Sequence, residues 1–416
     1  MNKGTIKLAL IGCGLIGAEH IRAWEAVARV TGVPFKVTAV CDAERELAER
    51  AAAEVARWQR SEVTVCTRYQ DLLGEHIDGL DVCLPSHLHE EIVCAALSAG
   101  VHVMVEKPLA TTIAAGKRMR HEALRAGRIL SLAEDHRRTP TMRTLRWLVQ
   151  EKGALGNPEF VQAQRVRHQS AAPRSGWRAR RASGGGGWAI DNGAHLLDAL
   201  TYVLGPVRSV TATGKRIYDA HMVHSDGQAG VDEREDFLAA LLVFERGTTG
   251  IFSCASSLPG ADDFCFALRG TKGAVVDDGG QLFHAPLPDA RVFLADGQQR
   301  ALRDFHEPYL DGLSARSRER LFPFGLQHSF AVECAEFLIA VREGRDVEID
   351  ADSALRTLAT SLAFYESALT QQTVLVEDVL DERVTAYQET IKPGPLESDF
   401  AQWRTRMATS GGKDEA

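Results

Sequence analysis

The chain has 416 residues, 45% of them hydrophobic and 25% charged, a balance that fits two or three globular domains and excludes disordered, collagenous and membrane-embedded classes. Forty-eight Lys and Arg against 56 Asp and Glu leave a net charge of −8, so neither nucleic acid nor an acidic membrane is expected as a partner. No run of 18 apolar residues occurs, the N-terminus lacks a signal-peptide pattern, and the 8 scattered cysteines form no CxxC pair; a cytoplasmic protein with reduced thiols is expected.

Up to about residue 135, short β-branched runs alternate with longer amphipathic stretches. Ile6–Ile11, Lys36–Cys41, Glu62–Cys66, Leu80–Leu84, His102–Glu106 and Ile129–Ala133 read as strands, and Ile16–Ala28, Glu44–Trp58, His89–Ser98 and Ile113–Ala126 as helices. That alternation predicts a doubly wound parallel sheet covered on both faces, expected over residues 1–137. A helix from Pro140 to about Glu151 leads into Phe160–Val166, Val207–Ile217, Phe237–Phe244, Thr248–Ser257, Phe264–Leu268 and Ala274–Asp277, strands separated by hairpin turns. These predict an open, mainly antiparallel sheet, closed by helices at Gln327–Glu343 and Ser353–Leu369, in a second α/β domain over 138–390. Residues 391–416 read as an extension with a small, polar, disordered end at 410–416.

Gly12-Cys13-Gly14-Leu15-Ile16-Gly17 follows an apolar strand and opens a helix. In that context GxGxxG lets the backbone approach a pyrophosphate at a helix N-terminus, so Gly12, Gly14, Leu15, Ile16 and Gly17 are candidate dinucleotide contacts. Asp42 ends the second strand, where a carboxylate accepts hydrogen bonds from the adenosine ribose and repels a 2′-phosphate. NAD is therefore favoured over NADP. Asp42 is equally placed to cap the helix that begins just after it.

Glu106-Lys107-Pro108 ends the fifth strand at the carboxyl edge, where open α/β sheets bind ligands. A Lys there favours the alkoxide that precedes hydride loss. In GGGGWAIDNGAHLLD, Asp191 and His195 lie four apart at a helix start and share a face with Asp198, which makes His195 a candidate general base with Asp191 in reach. The glycine run before them is read as room for a ligand. His87 and His89 with Asp191 and His195 nominally form a metal set, but the glycine loop and Lys107 account for metal-free hydride chemistry, so no metal is expected and His89 is placed beside nicotinamide or substrate.

Arg165, Arg167, Arg174, Arg178, Arg180 and Arg181 fall in a stretch without acidic residues, with His136, Arg137 and Arg138 upstream. Such a run binds a substrate anion, solvates an arm or pairs with a neighbouring subunit. Trp177 and Trp188 either stack on a sugar ring or anchor the core. The substrate candidates are Lys107, His136, Arg137, Trp177, Arg178, Asp191 and His195.

The ordered set LALIGCGLIG, LPSHLHEEIVCAALSAGVHVMVEKPLA, GWRARRASGGGGWAIDNGAHLLD, ALRGTKGAVV and EFLIAVREGRDVEIDADSALRTLATSLAFYESAL resembles, over about residues 5–376, the glucose-fructose oxidoreductase, inositol dehydrogenase and MocA (Gfo/Idh/MocA) family of NAD(P)-dependent oxidoreductases. The resemblance implies a Rossmann domain followed by an open sheet whose exposed face forms homodimer or tetramer contacts. It implies Lys107 as the residue touching substrate hydroxyl and cofactor ribose, His195 as proton acceptor, and Asp191 as its orienting partner. The family's Thr-Pro-Asn turn reads Leu84-Pro85-Ser86 here, which carries cofactor contacts onto Pro85 and Ser86; His89 and Glu106 join them at the same edge. Segments 219–235, 279–326 and 377–416 are longer than the family norm. A sugar, aminosugar or cyclitol is the implied substrate. The resemblance also admits a glycoside hydrolase using NAD for transient oxidation and elimination, or a catalytically silent NAD-binding regulator.

Overall fold

Ile6–Ile11 (β1), Phe35–Cys41 (β2), Thr64–Cys66 (β3), Gly79–Val82 (β4), His102–Glu106 (β5) and Leu130–Ala133 (β6) form one parallel sheet in the order β3-β2-β1-β4-β5-β6. The central strands are buried at almost every position, so the sheet must be covered on both faces. Helices Leu15–Val30 (α1), Arg45–Gln59 (α2), Tyr69–Gly74 (α3), His89–Ser98 (α4) and Ile113–Ala126 (α5) follow the strands in turn, and α1 and α2 share one hydrophobic cluster while α4 and α5 belong to another. Strand order reverses between β1 and β4, opening a crevice at their carboxyl ends. The structure, a computed structural model, describes residues 4–167, 177–217, 221–223, 229–231, 233–256, 258, 260–279 and 289–392. Arg174 and the expected 410–416 tail lie outside them.

Beyond β6 the chain continues through Pro140–Arg146 (α6), Pro158–Arg167 (β7), Arg181–Gly184 (α7), Gly193–Leu204 (α8), Val207–Lys215 (β8), the two-stranded ribbon of His221–Val223 (β9) with Ala229–Val231 (β10), Phe237–Phe244 (β11), Thr249–Ser256 (β12), Asp263–Gly270 (β13), Ala274–Asp277 (β14), Arg291–Phe293 (β15) and Gln299–Ala301 (β16). It closes with His306–Gly312 (α9), Ala315–Leu321 (α10), Ser329–Glu343 (α11), Ala351–Thr370 (α12), Val374–Leu375 (β17) and Val376–Leu380 (α13). The second sheet runs β16-β15-β14-β13-β7-β12-β11-β8-β17. It is antiparallel except for the parallel pair β7 and β12, because the chain leaves β7 through α7 and α8 rather than through a hairpin. The short strands β15, β16 and β17, and helices α9 and α10, are too brief to carry a period and were not anticipated.

One face of this sheet packs on α12, where Phe252 meets Phe364 edge to face at 5.4 Å. The other face leaves Leu241 and Ile251, cross-strand neighbours, 44% and 47% exposed. Although late in sequence, α11 and α12 reach back to the first sheet. Ala331, Phe337 and Leu338 of α11 share a cluster with Trp24 of α1, and a Cβ on Gly116 of α5 would fall 2.8 Å from Leu355 of α12, so glycine allows those helices their close approach. Leu132 N–H donates to Ile349 O, pinning the return to the edge of β6.

Candidate active site

The glycine loop is shaped by its own backbone. Gly12 has φ +93°, and a Cβ there would lie 2.2 Å from Cys83 O at the end of β4; a Cβ on Gly17 would lie 1.9 Å from Gly12 O. Both positions require glycine. A Cβ on Gly14 would meet nothing within 4 Å, Leu15 is 94% exposed, and no side chain caps α1. An open cradle at an uncapped helix N-terminus suits a pyrophosphate. Nearby, the Ser86 hydroxyl is buried without a hydrogen-bond partner, just after Pro85, a second polar group that a bound dinucleotide can satisfy.

Asp42 is buried, its Oδ2 accepting from Cys13 N–H at 2.7 Å and its Oδ1 from Glu44 N–H at 2.9 Å. It therefore ties the glycine loop to the turn that leads into α2; that helix begins at Arg45 with Glu44 at its N-cap and no side-chain cap, so the capping role expected of Asp42 is corrected to a two-residue turn before the helix. Burial pushes its carboxyl up while the two N–H bonds hold it down. A ribose contact would use its remaining lone pairs.

Lys107, Asp191 and His195 are brought together at the carboxyl edge. Lys107 Nζ donates to Asp191 O at 3.0 Å and lies 3.4 Å from Asp191 Oδ1. Arg178 flanks the same carboxylate at 3.3 Å and stacks over the Trp177 ring at 4.4 Å. Burial raises the Asp191 carboxyl, but Lys107, Arg178 and His195 together hold it below the usual range. His195 Nδ1 meets not Asp191 but Glu134 Oε1, at 2.7 Å, and its ring stacks on His136 at 4.2 Å between centroids. Burial would lower the His195 imidazole, yet Glu134 raises it above its ordinary value. The expected pairing of Asp191 with His195 is thus corrected: Asp191 serves Lys107. Glu134 was missed, although an acidic residue directly after an apolar strand at the carboxyl edge is the same signal that marked Glu106-Lys107.

Other expectations are redirected by burial. His89 is fully buried, its Nδ1 facing Pro108 O and Leu109 O at 3.0 and 3.2 Å and its Nε2 facing Leu84 O at 2.8 Å, so it joins two loops of the site instead of lining the cleft. Its nitrogens are thereby committed, and the nominal metal set built on it is not assembled. Glu106 gives Oε1 to His20 and Oε2 to Lys107 N–H, at 3.0 and 3.1 Å, so its carboxylate steadies the strand end rather than reaching a cofactor. Arg137 is taken by Asp198 and stands over the Tyr202 ring, so it ties the turn after β6 to α8 instead of holding substrate, while Asp198 also accepts from Thr357 of α12 at 3.1 Å. This removes Asp198 from the Asp191 and His195 face. Arg138 is buried against Glu336.

The glycine run approaches protein, not open space: a Cβ on Gly186 would lie 2.8 Å from the Tyr365 ring and one on Gly187 2.2 Å from Glu235 Oε2. Trp188 packs on Phe252 at 5.0 Å as a core anchor. The arginine run disperses, with Arg165 over Phe264, Arg167 near Asp262, Arg178 at Asp191 and Arg181 bonded to Thr390.

Comparison with known proteins places these features in a context. Residues 6–134 match the Gfo/Idh/MocA family model described as an oxidoreductase family with an NAD-binding Rossmann fold, and residues 142–276 match the model of a Gfo/Idh/MocA C-terminal domain. Levoglucosan dehydrogenase of Pseudarthrobacter phenanthrenivorans is 25% identical over 90% of this chain and 99% of its own. Myo-inositol 2-dehydrogenase of Thermotoga maritima is 24% identical over 90% of this chain and its full length. A solved structure of levoglucosan dehydrogenase with NADH and levoglucosan superposes with a TM-score of 0.74 at 24% identity, covering 90% of this chain and 100% of that one.

Proposed function

The chain belongs to the Gfo/Idh/MocA family of NAD-binding oxidoreductases, and from that premise we propose that it oxidises a secondary alcohol of a sugar, aminosugar or cyclitol, or reduces the matching ketone. The observation that carries this reading is the meeting of Lys107, Asp191 and His195 at the carboxyl edge of the sheet whose first strand leads into the open cradle at Gly14. The residues present fit NAD: the loop from Gly12 to Gly17 and the N-terminus of α1 would hold the pyrophosphate, with Asp42 and Ser86 as polar neighbours. Bound NAD supplies the hydride acceptor.

The protein's own part is proton handling and charge placement. His195 Nε2, which has no hydrogen bond among the described residues, takes the hydroxyl proton, while Nδ1 is committed to Glu134. Lys107, oriented by the backbone and side chain of Asp191, sets its ammonium where the alkoxide charge develops. Arg178 on Trp177 and the ring of His136 line the substrate side. No described helix is long and apolar enough to cross a membrane, and we place the protein in the cytoplasm. The open face bearing Leu241 and Ile251 is proposed as a homo-oligomer contact. A panel of polyols, aminosugars, sugar acids and sugar phosphates with NAD and NADP, followed by reduced-nicotinamide absorbance, tests the reading. NAD-linked turnover of a member of the panel supports it, and silence across the panel with intact NAD binding overturns it.

A further inference from the structure

Four charged or titratable groups surround the His195 ring from separate elements: Glu134 at the end of β6, Asp135 and His136 in the turn behind it, and Lys107 at the end of β5, with Asp191 beyond Lys107. Their distances are unequal. Glu134 Oε1 is 2.7 Å from His195 Nδ1, and Asp135 Oδ1 is 3.7 Å away, its other oxygen accepting from the Ser329 hydroxyl. No hydrogen bond or ion pair joins Asp191 to His195; its nearest partners are Lys107 and Arg178.

Glu134 is itself held. Its Oε1 also accepts from the His136 backbone N–H at 3.1 Å, the carboxylate is 0% exposed, and the His136 ring lies nearly parallel to that of His195, with 17° between the planes. The imidazole is thereby fixed in two ways, by a short bond in its plane and by a stacked ring on one face. An acceptor on Nδ1 selects the tautomer that carries its hydrogen there and leaves the Nε2 lone pair for a substrate proton.

We propose that Glu134 is the positioning residue of the general base, fixing tautomer and orientation of His195, and that the site contains two separate carboxylate pairs, Glu134 with His195 and Asp191 with Lys107. The proposal rests on the reading of His195 as proton acceptor. Glu134 is placed for this by the sheet: β5 and β6 are parallel neighbours, so their carboxyl ends present Lys107 and Glu134 side by side, and α8 brings His195 over both. The groups facing His195 oppose one another. Burial and Lys107 favour the neutral ring, Glu134 and Asp135 the charged one. Removing the Glu134 charge therefore lowers the imidazole pKa.

Glu134→Gln tests this with two readouts. In alcohol oxidation kcat should fall roughly tenfold or more while NADH affinity holds. The acid limb of kcat/KM, where His195 must lose its proton to act, should move to lower pH by about one unit or more. The His195 NMR titration, assigned by its absence in His195→Ala, should move the same way without any turnover. Asp191→Asn, whose charge acts on His195 only through space, should move that midpoint less than Glu134→Gln does, and Glu134→Asp, which keeps the charge, should retain the raised midpoint if Glu134→Gln does not fold. An unchanged midpoint in Glu134→Gln, or a midpoint that follows Asp191→Asn instead, overturns the proposal. Full turnover in His195→Ala would remove the base itself and leave the NMR result to report on the pair.

Discussion

His20 and His195 are both held by carboxylates, and of this pair His195 alone has a nitrogen to spare among the described residues. His20, on α1, is fully buried; Nδ1 meets both Asp81 oxygens at 2.9 and 3.0 Å, and Nε2 meets Glu106 at 3.0 Å with Glu333 at 3.8 Å. Burial pulls its imidazole down, but Asp81 raises it well above the ordinary value, so it sits as a locked cation. Trp24 Nε1 donates to the same aspartate at 2.8 Å, and burial pushes the Glu333 carboxyl well above its ordinary value against the pull of Arg138 and His20. His195 has the same kind of partner on one nitrogen, yet its side chain keeps 17% exposure. A ring saturated on both sides can only brace the fold, whereas a ring held on one side keeps a lone pair for chemistry. The two are linked, since Glu106 joins His20 to the backbone of Lys107.

The contrast can be broken at either histidine. The largest effect is expected on activity: His195→Ala should lower turnover at least about 100-fold with NADH binding intact, measured by stopped-flow and fluorescence titration. His20→Leu should do the reverse, destabilising the fold by about 3–5 kcal/mol in denaturant titration because Asp81 and Glu106 are left buried and unpaired. With a folded-state pKa raised over the unfolded value of about 6.5, His20 contributes its full stability below that pH and loses it as pH rises through the raised value. The gap between wild type and His20→Leu should therefore shrink in alkaline buffer, and a constant gap would show that charge is not the cause.

The glycine loop sharpens the same division between bracing and binding. Gly17→Ala forces a Cβ against the Gly12 carbonyl and should lower both thermal midpoint and NAD affinity. Gly14→Ala has open space and should weaken NAD alone; equal thermal loss in both would mean that Gly14 is structural. The smallest effect belongs to the exposed pair Arg120 and Asp352, where Arg120→Ala should cost less than about 1 kcal/mol in the same melts.

The doubly wound sheet was legible because strands buried on both faces are apolar throughout and because glycine, wherever a Cβ would strike backbone, leaves a fixed spacing in the chain. Lys107 was legible for a related reason: a charged residue ending an apolar strand has few structural excuses. The parallel pairing of β7 with β12 was not, since nothing in a strand's own period names its neighbour. Nor were the fates of His89 and Arg137, which look polar and available in sequence but are consumed by carbonyls and by Asp198.

By itself the sequence determined what depends on near neighbours along the chain: strand and helix periods, the turn that only glycine can make, and the side chains able to carry charge or a proton. Tertiary structure alone decided how those charges were shared out. Glu134 and Asp191 are both carboxylates beside a strand end or a helix start, and local pattern favoured Asp191 for the histidine because four residues separate them. The assignment went the other way because hydrogen bonds are won by distance in space, and the parallel registry of β5 and β6 sets Glu134 under His195 and leaves Asp191 to Lys107.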